Sequence, residues 1–233
     1  EPEREGVFRG IQEWLEDHAG AKRTFERFLT AFPNHVLASQ VRFELGNTRL
    51  VMGDLEAAAV AYASAADDPG PGGGGILPAR ALYQKAMLER RLGKSAQAAE
   101  TLTALLSKHG EALKTGEPGV KLARDARYQR SVALLEAGKA DEARGELAAF
   151  LEKDAGSPQE TEARNQLARS LLDAGKAGDA LAALEPVLKG GAAAPGRDQA
   201  LYLAAWCHSA MSAASPAGDA TEPVKDAEAA AKH

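Results

Sequence analysis

The stretch ARDARYQRSVALLEAGKADEARGELAAFLEK at residues 123–153 is repeated in outline as TEARNQLARSLLDAGKAGDALAALEPVLKG at residues 161–190. When the two copies are aligned on Gly138 and Gly175, a serine or an alanine lies seven residues before each glycine. An alanine lies five residues after each glycine, and a leucine lies nine residues after it. Small residues let two helices approach closely, and a glycine ends the first helix without a Cβ penalty. The pattern therefore predicts a two-helix unit that occurs twice in succession.

The same spacing occurs upstream, around Gly53 and Gly93, and once near the C-terminus. The two small positions and the large position are Gly46, Ala58 and Tyr62 in the first of these copies and Ala86, Ala98 and Leu102 in the second. The last copy has Ala205 in the small position and Ser212 in place of the glycine. Near the N-terminus, Gly20 is expected to separate two helices, the second of which ends at Pro33.

These spacings resemble those of the tetratricopeptide repeat (TPR). That signature includes a small residue, an aromatic residue four positions later and a terminating proline. Ala21, Phe25 and Pro33 match this ending, and Leu45-Gly46 matches the Leu-Gly of the first TPR helix. The resemblance implies an all-α fold, a right-handed TPR-like α-solenoid of about five to six helix-turn-helix hairpins.

We expect a single repeat array over residues 1–212. Its hairpins are predicted at about 3–33, 36–68, 78–109, 120–154, 159–190 and from 197 to 212 onward. The glycine-rich segment 67–75 is predicted to be a flexible insertion between repeats, and residues 109–119 are predicted to form a loop. Residues 213–233 are predicted to be a partly disordered tail or a short capping helix.

The composition excludes several function classes. The chain has 28 basic and 33 acidic residues, a net charge of −5, so we expect no nucleic-acid partner. No stretch approaches the roughly 20 consecutive apolar residues of a membrane span. The five histidines and the single cysteine show no zinc-ligand spacing, and neither a metal nor another cofactor is expected.

No catalytic constellation is visible either. The only Gly-Lys-Ser, at residues 93–95, has Leu88 where a phosphate-binding loop needs glycine, and it lies next to a predicted helix. Cys207 and His208 are adjacent on a predicted helix, where neighbouring side chains point apart. We therefore predict that the chain is not an enzyme.

The candidate binding residues lie on the first helix of each unit, because these helices line the concave wall of TPR arrays. Ten residues before the turns, the pattern places Phe43, Tyr83, Tyr128, Asn165 and Tyr202, and six before them Asn47, Met87, Arg169 and Trp206. Gln84 and Gln129 recur nine residues before the turn. On one interpretation these residues form a partner-binding groove. On the other interpretation, the aromatic rings pack between helices and determine only the curvature of the solenoid.

The expected partner is a protein or peptide held in the groove. Only Asn47 and Arg169 match the lysine, arginine and asparagine residues with which some TPR domains grip a C-terminal carboxylate, and they lie in non-adjacent units. An extended or helical peptide held by apolar and amide contacts is therefore favoured. Self-association through the C-terminal helix, which carries Tyr202 and Trp206 and lacks an obvious cap, is a further expectation.

A narrower resemblance covers the first two units. Four dipeptides are similar to motifs of bacterial extracytoplasmic TPR lipoproteins of the BamD and CpoB type: Phe28-Leu29, Phe32-Pro33, Leu45-Gly46 and Gly53-Asp54. This resemblance implies a periplasmic or outer-membrane-associated scaffold, with a lipid anchor upstream of residue 1, that helps assemble or connect a secretion, pilus, motility or outer-membrane complex. The alternatives are a cytoplasmic TPR adaptor or regulator and the TPR portion of a larger enzyme.

Overall fold

The computed structural model describes residues 2–67, 75–190 and 195–214, with side chains described from residue 17 onward. This part of the chain is α-helical and contains no strand. The helices are α1 (Pro2–Ala31), α2 (Ala38–Val51), α3 (Leu55–Asp67), α4 (Leu77–Arg91), α5 (Ser95–Lys108), α6 (Gly110–Leu113), α7 (Gly116–Glu136), α8 (Ala140–Lys153), α9 (Glu160–Asp173), α10 (Ala177–Leu188) and α11 (Arg197–Ala214).

The helices group into two compact units, Glu1–Lys139 and Ala140–His233. In the first unit, α1 packs on α2, α2 on α3, α3 on α4 and α4 on α5, and α5 then packs on α7. In the second unit, α8 packs on α9, α9 on α10, and α11 on both α9 and α10. Each unit therefore has the sequential helix packing that the all-α repeat prediction requires.

The structure confirms the predicted small and large positions. All eight small positions of the four central copies are buried: Gly46, Ala58, Ala86, Ala98, Ser131, Ala143, Ala168 and Ala180. The large positions Tyr62, Leu102, Leu147 and Leu184 are fully buried as well. The turn glycines Gly53, Gly93, Gly138 and Gly175 have φ between +72° and +83°, a conformation that side chains with a Cβ rarely adopt.

Gly46 and Tyr62 form the closest of these contacts. A Cβ atom on Gly46 would lie 2.6 Å from Cε1 of the Tyr62 ring. The same ring packs against Phe43 with a centroid distance of 5.4 Å, and the Tyr62 hydroxyl donates a hydrogen bond of 2.7 Å to Oδ1 of Asn47. The absence of a side chain at residue 46 therefore lets α3 lie directly against α2.

Two predicted helix boundaries are wrong. Gly20 does not separate two helices, because α1 continues from Pro2 to Ala31, so the predicted first hairpin is one helix. Ser212 does not end the last helix, because α11 continues to Ala214, and Ala205 in the expected small position is exposed. A glycine or serine inside a helix lowers its stability by no more than about 1 kcal/mol, so packing can carry the helix through such a residue.

The predicted loop at residues 109–119 is also wrong. It contains the short helix α6, and α7 begins at Gly116, earlier than expected. Pro118 is tolerated there because the N–H groups of the first helical turn have no partner within the helix. Gly119 packs closely on α6, since a Cβ atom there would lie 2.8 Å from the carbonyl oxygen of Ala112.

Two other predictions concern residues outside the described part of the chain. They are the flexible insertion, whose residues 68–74 are not described, and the tail beyond residue 214. Both stay predictions.

The substitution Gly46→Ala is expected to lower the free energy of unfolding by about 1–3 kcal/mol, because the added methyl group overlaps the fully buried Tyr62 ring, which packs on Phe43 and is hydrogen-bonded to Asn47. Gly145→Ala is the matched control. Gly145 also lies inside a helix, and a Cβ atom there would have no neighbour within 4 Å. The control should gain about 0.5–1 kcal/mol. Urea denaturation followed by circular dichroism measures both values, and equal effects of the two substitutions would refute a special contact at Gly46.

Candidate functional site

The structure places two of the predicted groove aromatics in the core of the first unit. Phe43 is 4% exposed and packs on Tyr62, and Tyr128 is 9% exposed. Both rings therefore follow the packing interpretation, and their prediction as accessible groove residues is corrected. Each lies three residues before a buried small position, on the side of the helix that faces the core. Tyr83 has the same place before Ala86, but its ring is only half-buried and lines the cleft described below.

Two predicted groove amides have partners within the chain. Asn47 accepts the hydrogen bond from Tyr62 and donates from Nδ2 to Oε2 of Glu44 at 2.9 Å. Gln129 accepts a hydrogen bond from Arg90, which also forms a bidentate ion pair with Glu136. These amides position α2 against α3 and α4 against α7, so a role in the fold explains both of them.

Tyr83 and Gln84 line an open cleft between α4 and α7. Its volume is ≈ 430 Å³. The other lining residues, which the sequence analysis missed, are Ile76, Arg80, Pro118, Lys121, Leu122 and Asp125. They lie in the N-terminal halves of the two helices, or immediately before α4. Met87, one helical turn further along α4 from Tyr83, is half-buried and does not line the cleft.

The cleft combines apolar walls with polar groups of both charges. Burial raises the pKa of Tyr83, the nearby Asp125 carboxylate raises it further, and Arg90 partly opposes the effect. Tyr83 is therefore a neutral phenol at pH 7 that can donate a hydrogen bond. The guanidinium carbon of Arg80 lies 5.3 Å from the centroid of the Phe43 ring, a cation–π distance. Such a set can hold a peptide but has no nucleophile paired with a base.

In the second unit, too, some of the predicted groove residues are buried in the core and others are exposed. Asn165 is fully buried and donates from Nδ2 to the carbonyl oxygen of Gly196 at 3.0 Å, which links α9 to the start of α11. Arg169 is exposed. Tyr202 and Trp206 are 63% and 53% exposed on α11, with an edge-to-face ring distance of 6.3 Å. Asn165 is thus a core residue, and the other three are accessible.

Among the described residues, no group of three or more His, Cys, Asp and Glu side chains is arranged to hold a metal ion. Cys207 is buried, and burial raises the pKa of its thiol, which keeps it protonated and unreactive at neutral pH. None of the described helices is both long and apolar enough to cross a bilayer.

Comparison with known proteins gives one family and a set of similar folds. The tetratricopeptide-repeat family profile matches residues 15–74, 83–158 and 165–210. No curated protein sequence matches the chain significantly.

Several solved structures resemble the chain at low sequence identity. A MamA protein is 16% identical with a TM-score of 0.54, covering 77% of this chain and 86% of its own. YrrB, a TPR protein with an unusual peptide-binding site, is 17% identical with a TM-score of 0.53, and the alignment covers 89% of each chain. TPR-like repeats of a Podospora anserina protein described as a kinesin light chain are 17% identical with a TM-score of 0.55, covering 77% and 89%. At these identities the similarity shows the fold alone. None of the comparisons tests the BamD and CpoB resemblance.

The hydroxyl of Tyr62 should make stability depend on pH above 10. Burial, assisted by Glu44, raises the pKa of Tyr62 from 10.0 to about 12. Between these values the unfolded chain has lost the proton and the folded chain retains it, so stability falls as pH rises, by up to about 1.4 kcal/mol per pH unit. Tyr62→Phe removes this contribution. The difference in unfolding free energy between wild type and variant should shrink from pH 10 to 12, and a constant difference would contradict the assignment.

Truncating the two kinds of aromatic residue should separate core from surface. Tyr128→Ala is expected to cost about 3 kcal/mol or more, because it leaves a cavity in the first unit. Tyr202→Ala should change stability by no more than about 0.5 kcal/mol, because its ring is mostly in solvent. Urea unfolding of each variant gives the values. A large loss for Tyr202→Ala would mean that α11 is covered in solution.

Proposed function

The chain belongs to the tetratricopeptide-repeat family, and we propose from this membership that it is a non-enzymatic scaffold that holds a segment of a partner protein in the cleft between α4 and α7. TPR repeats are protein–protein interaction modules, so the general role follows from the family. The cleft is the observation that supports this particular surface, because it combines apolar walls with exposed polar groups from two neighbouring helices.

The buried interactions of α4 support a binding site that exists before the partner arrives. Glu89 is 7% exposed, and its carboxylate accepts hydrogen bonds from Lys85 at 2.6 Å and from Thr101 of α5 at 2.7 Å. Arg90 connects α4 to Glu136 of α7, and Ser95 of α5 donates to the same carboxylate at 2.9 Å. Because side-chain contacts connect α4 to both α5 and α7, little conformational entropy is lost in ordering the cleft when a partner binds. A peptide-binding site is also present in the similar fold of YrrB.

We further propose a place of action in the bacterial cell envelope, in the periplasm or at the outer membrane. There the scaffold would help assemble or connect a secretion, pilus, motility or outer-membrane complex. The support is the pattern from Phe28 to Asp54 that resembles extracytoplasmic TPR lipoproteins. The alternatives of a cytoplasmic adaptor and of the TPR portion of a larger enzyme predict different partners, so the identity of the partner distinguishes all three.

Site-specific photo-crosslinking in the native cell tests this proposal. A photoreactive phenylalanine analogue at Gln84, which lines the cleft, should give an adduct with a partner protein. The matched control is the same analogue at Val60, which is 62% exposed on α3 of the same unit and outside the cleft. Envelope proteins captured at Gln84 would support the location, and cytoplasmic proteins would overturn it. The absence of an adduct specific to Gln84 would refute the cleft as the binding surface.

A further inference from the structure

We propose that the cleft between α4 and α7 selects an acidic segment of the partner, in which a carboxylate side chain binds beside Arg80 and Lys121 and a neighbouring apolar side chain packs on the walls. This inference rests on the proposed function, since it names the chemistry of the peptide that the scaffold holds.

The charge balance of the cleft is the first argument. Arg80 and Lys121 both line it with exposed side chains, and within the described chain neither forms an ion pair. Two other basic residues of α4 differ, since Lys85 is paired with Glu89 and Arg90 with Glu136, and the exposed Arg91 does not line the cleft. Asp125 is the one carboxylate among the lining residues, and it already interacts within the chain. The cleft therefore offers more positive than negative charge, although the chain as a whole carries −5.

The position of the helix ends is the second argument. Ile76 is the residue that precedes α4, and Pro118 and Lys121 lie in the first two turns of α7, so both helices begin at the cleft. Neither N-terminus has a side-chain cap, and α4 has no acidic residue in its first turn. Glu117 occupies the first turn of α7 but does not line the cleft. The partial positive charge of two helix N-termini adds to that of the side chains.

The lining also indicates a peptide as the source of the carboxylate. Ile76, Pro118 and Leu122 provide apolar surface that a small inorganic anion would not use. Gln84 and the Tyr83 phenol provide hydrogen-bonding groups for a peptide backbone. The Phe43 ring restricts the Arg80 guanidinium, which reduces the entropy lost when that side chain pairs with a carboxylate.

Selection from a random dodecapeptide phage library against the whole chain, followed by titration of labelled synthetic peptides, tests the inference. The selected peptides should contain aspartate or glutamate next to an apolar residue. Each should bind roughly tenfold more tightly than a twin in which glutamine and asparagine replace the acids, because charge-assisted hydrogen bonds are lost in the twin. Rising salt should weaken the acidic peptide more than its twin.

Two double variants test whether the preference for acidic peptides arises at Arg80 and Lys121. Arg80→Gln with Lys121→Gln should remove the difference between the acidic peptide and its twin. Lys94→Gln with Lys108→Gln changes the charge equally at exposed residues outside the cleft and should leave that difference intact.

The possible failures are distinguishable. If neutral and acidic peptides bind equally well and crosslink to the photoreactive analogue at Gln84, acidic selectivity is wrong and the peptide-binding scaffold stands. If acidic peptides bind but the control variant loses them and the cleft variant does not, the inference is overturned, because the charge acts elsewhere. If no peptide crosslinks at Gln84, both the inference and the proposed cleft are refuted.

Discussion

The contact between the bare backbone of Gly46 and the ring of Tyr62 shows the constraint on which the whole structure depends. The helices of a hairpin can approach closely only where one of them presents almost no side chain. In the later copies Ala86, Ser131 and Ala168 take the place of Gly46, and all three are fully buried. Aromatic residues make up only 5% of the chain, so close backbone approach, rather than large side chains, provides much of the packing.

This constraint also determines which residues are left to bind a partner. The core of the first unit uses Phe43 and Tyr128, and it uses Asn47 to hold the Tyr62 hydroxyl. On α4, Gln84, one position after Tyr83, and Arg80, nearer the N-terminus of the helix, line the cleft. The proposed binding surface therefore consists of the residues of α4 and α7 that the core leaves accessible, in the N-terminal halves of these helices.

The sequence predicted the parts of the fold that depend on local rules. A turn glycine with positive φ and a buried small residue seven positions earlier each have a direct physical cause, so their spacing could be recognised at Gly53, Gly93, Gly138 and Gly175. The errors arose where tertiary packing outweighs a local preference. Gly20 is a weak helix former but not a forbidden one, and α1 continues through it.

The candidate site was harder to predict because residues at the same position of two repeats differ in burial. Tyr83 and Tyr128 hold equivalent places before their turns, yet Tyr83 lines the cleft and Tyr128 is buried. The spacing is the same in both cases. The difference is in the neighbouring helix, which repeat spacing cannot describe.

The departure from regular spacing is the feature that builds the cleft. Successive turn glycines are 40, 45 and 37 residues apart, and the longest interval lies between Gly93 and Gly138. The structure uses the extra residues of that interval for α6 and for an early start of α7 at Gly116. Gly119 lets α7 pack closely on α6. Lys121 and Leu122 of α7 then line the cleft together with Arg80 of α4. In the other copies the first helix begins 15 or 16 residues before its turn glycine, so a strictly regular repeat would begin this helix at residue 122 or 123 and leave Pro118 and Lys121 outside it. The extra residues between Gly93 and Gly138 thus supply part of the cleft, while the turn glycines and the buried small positions that hold the helices together are unchanged.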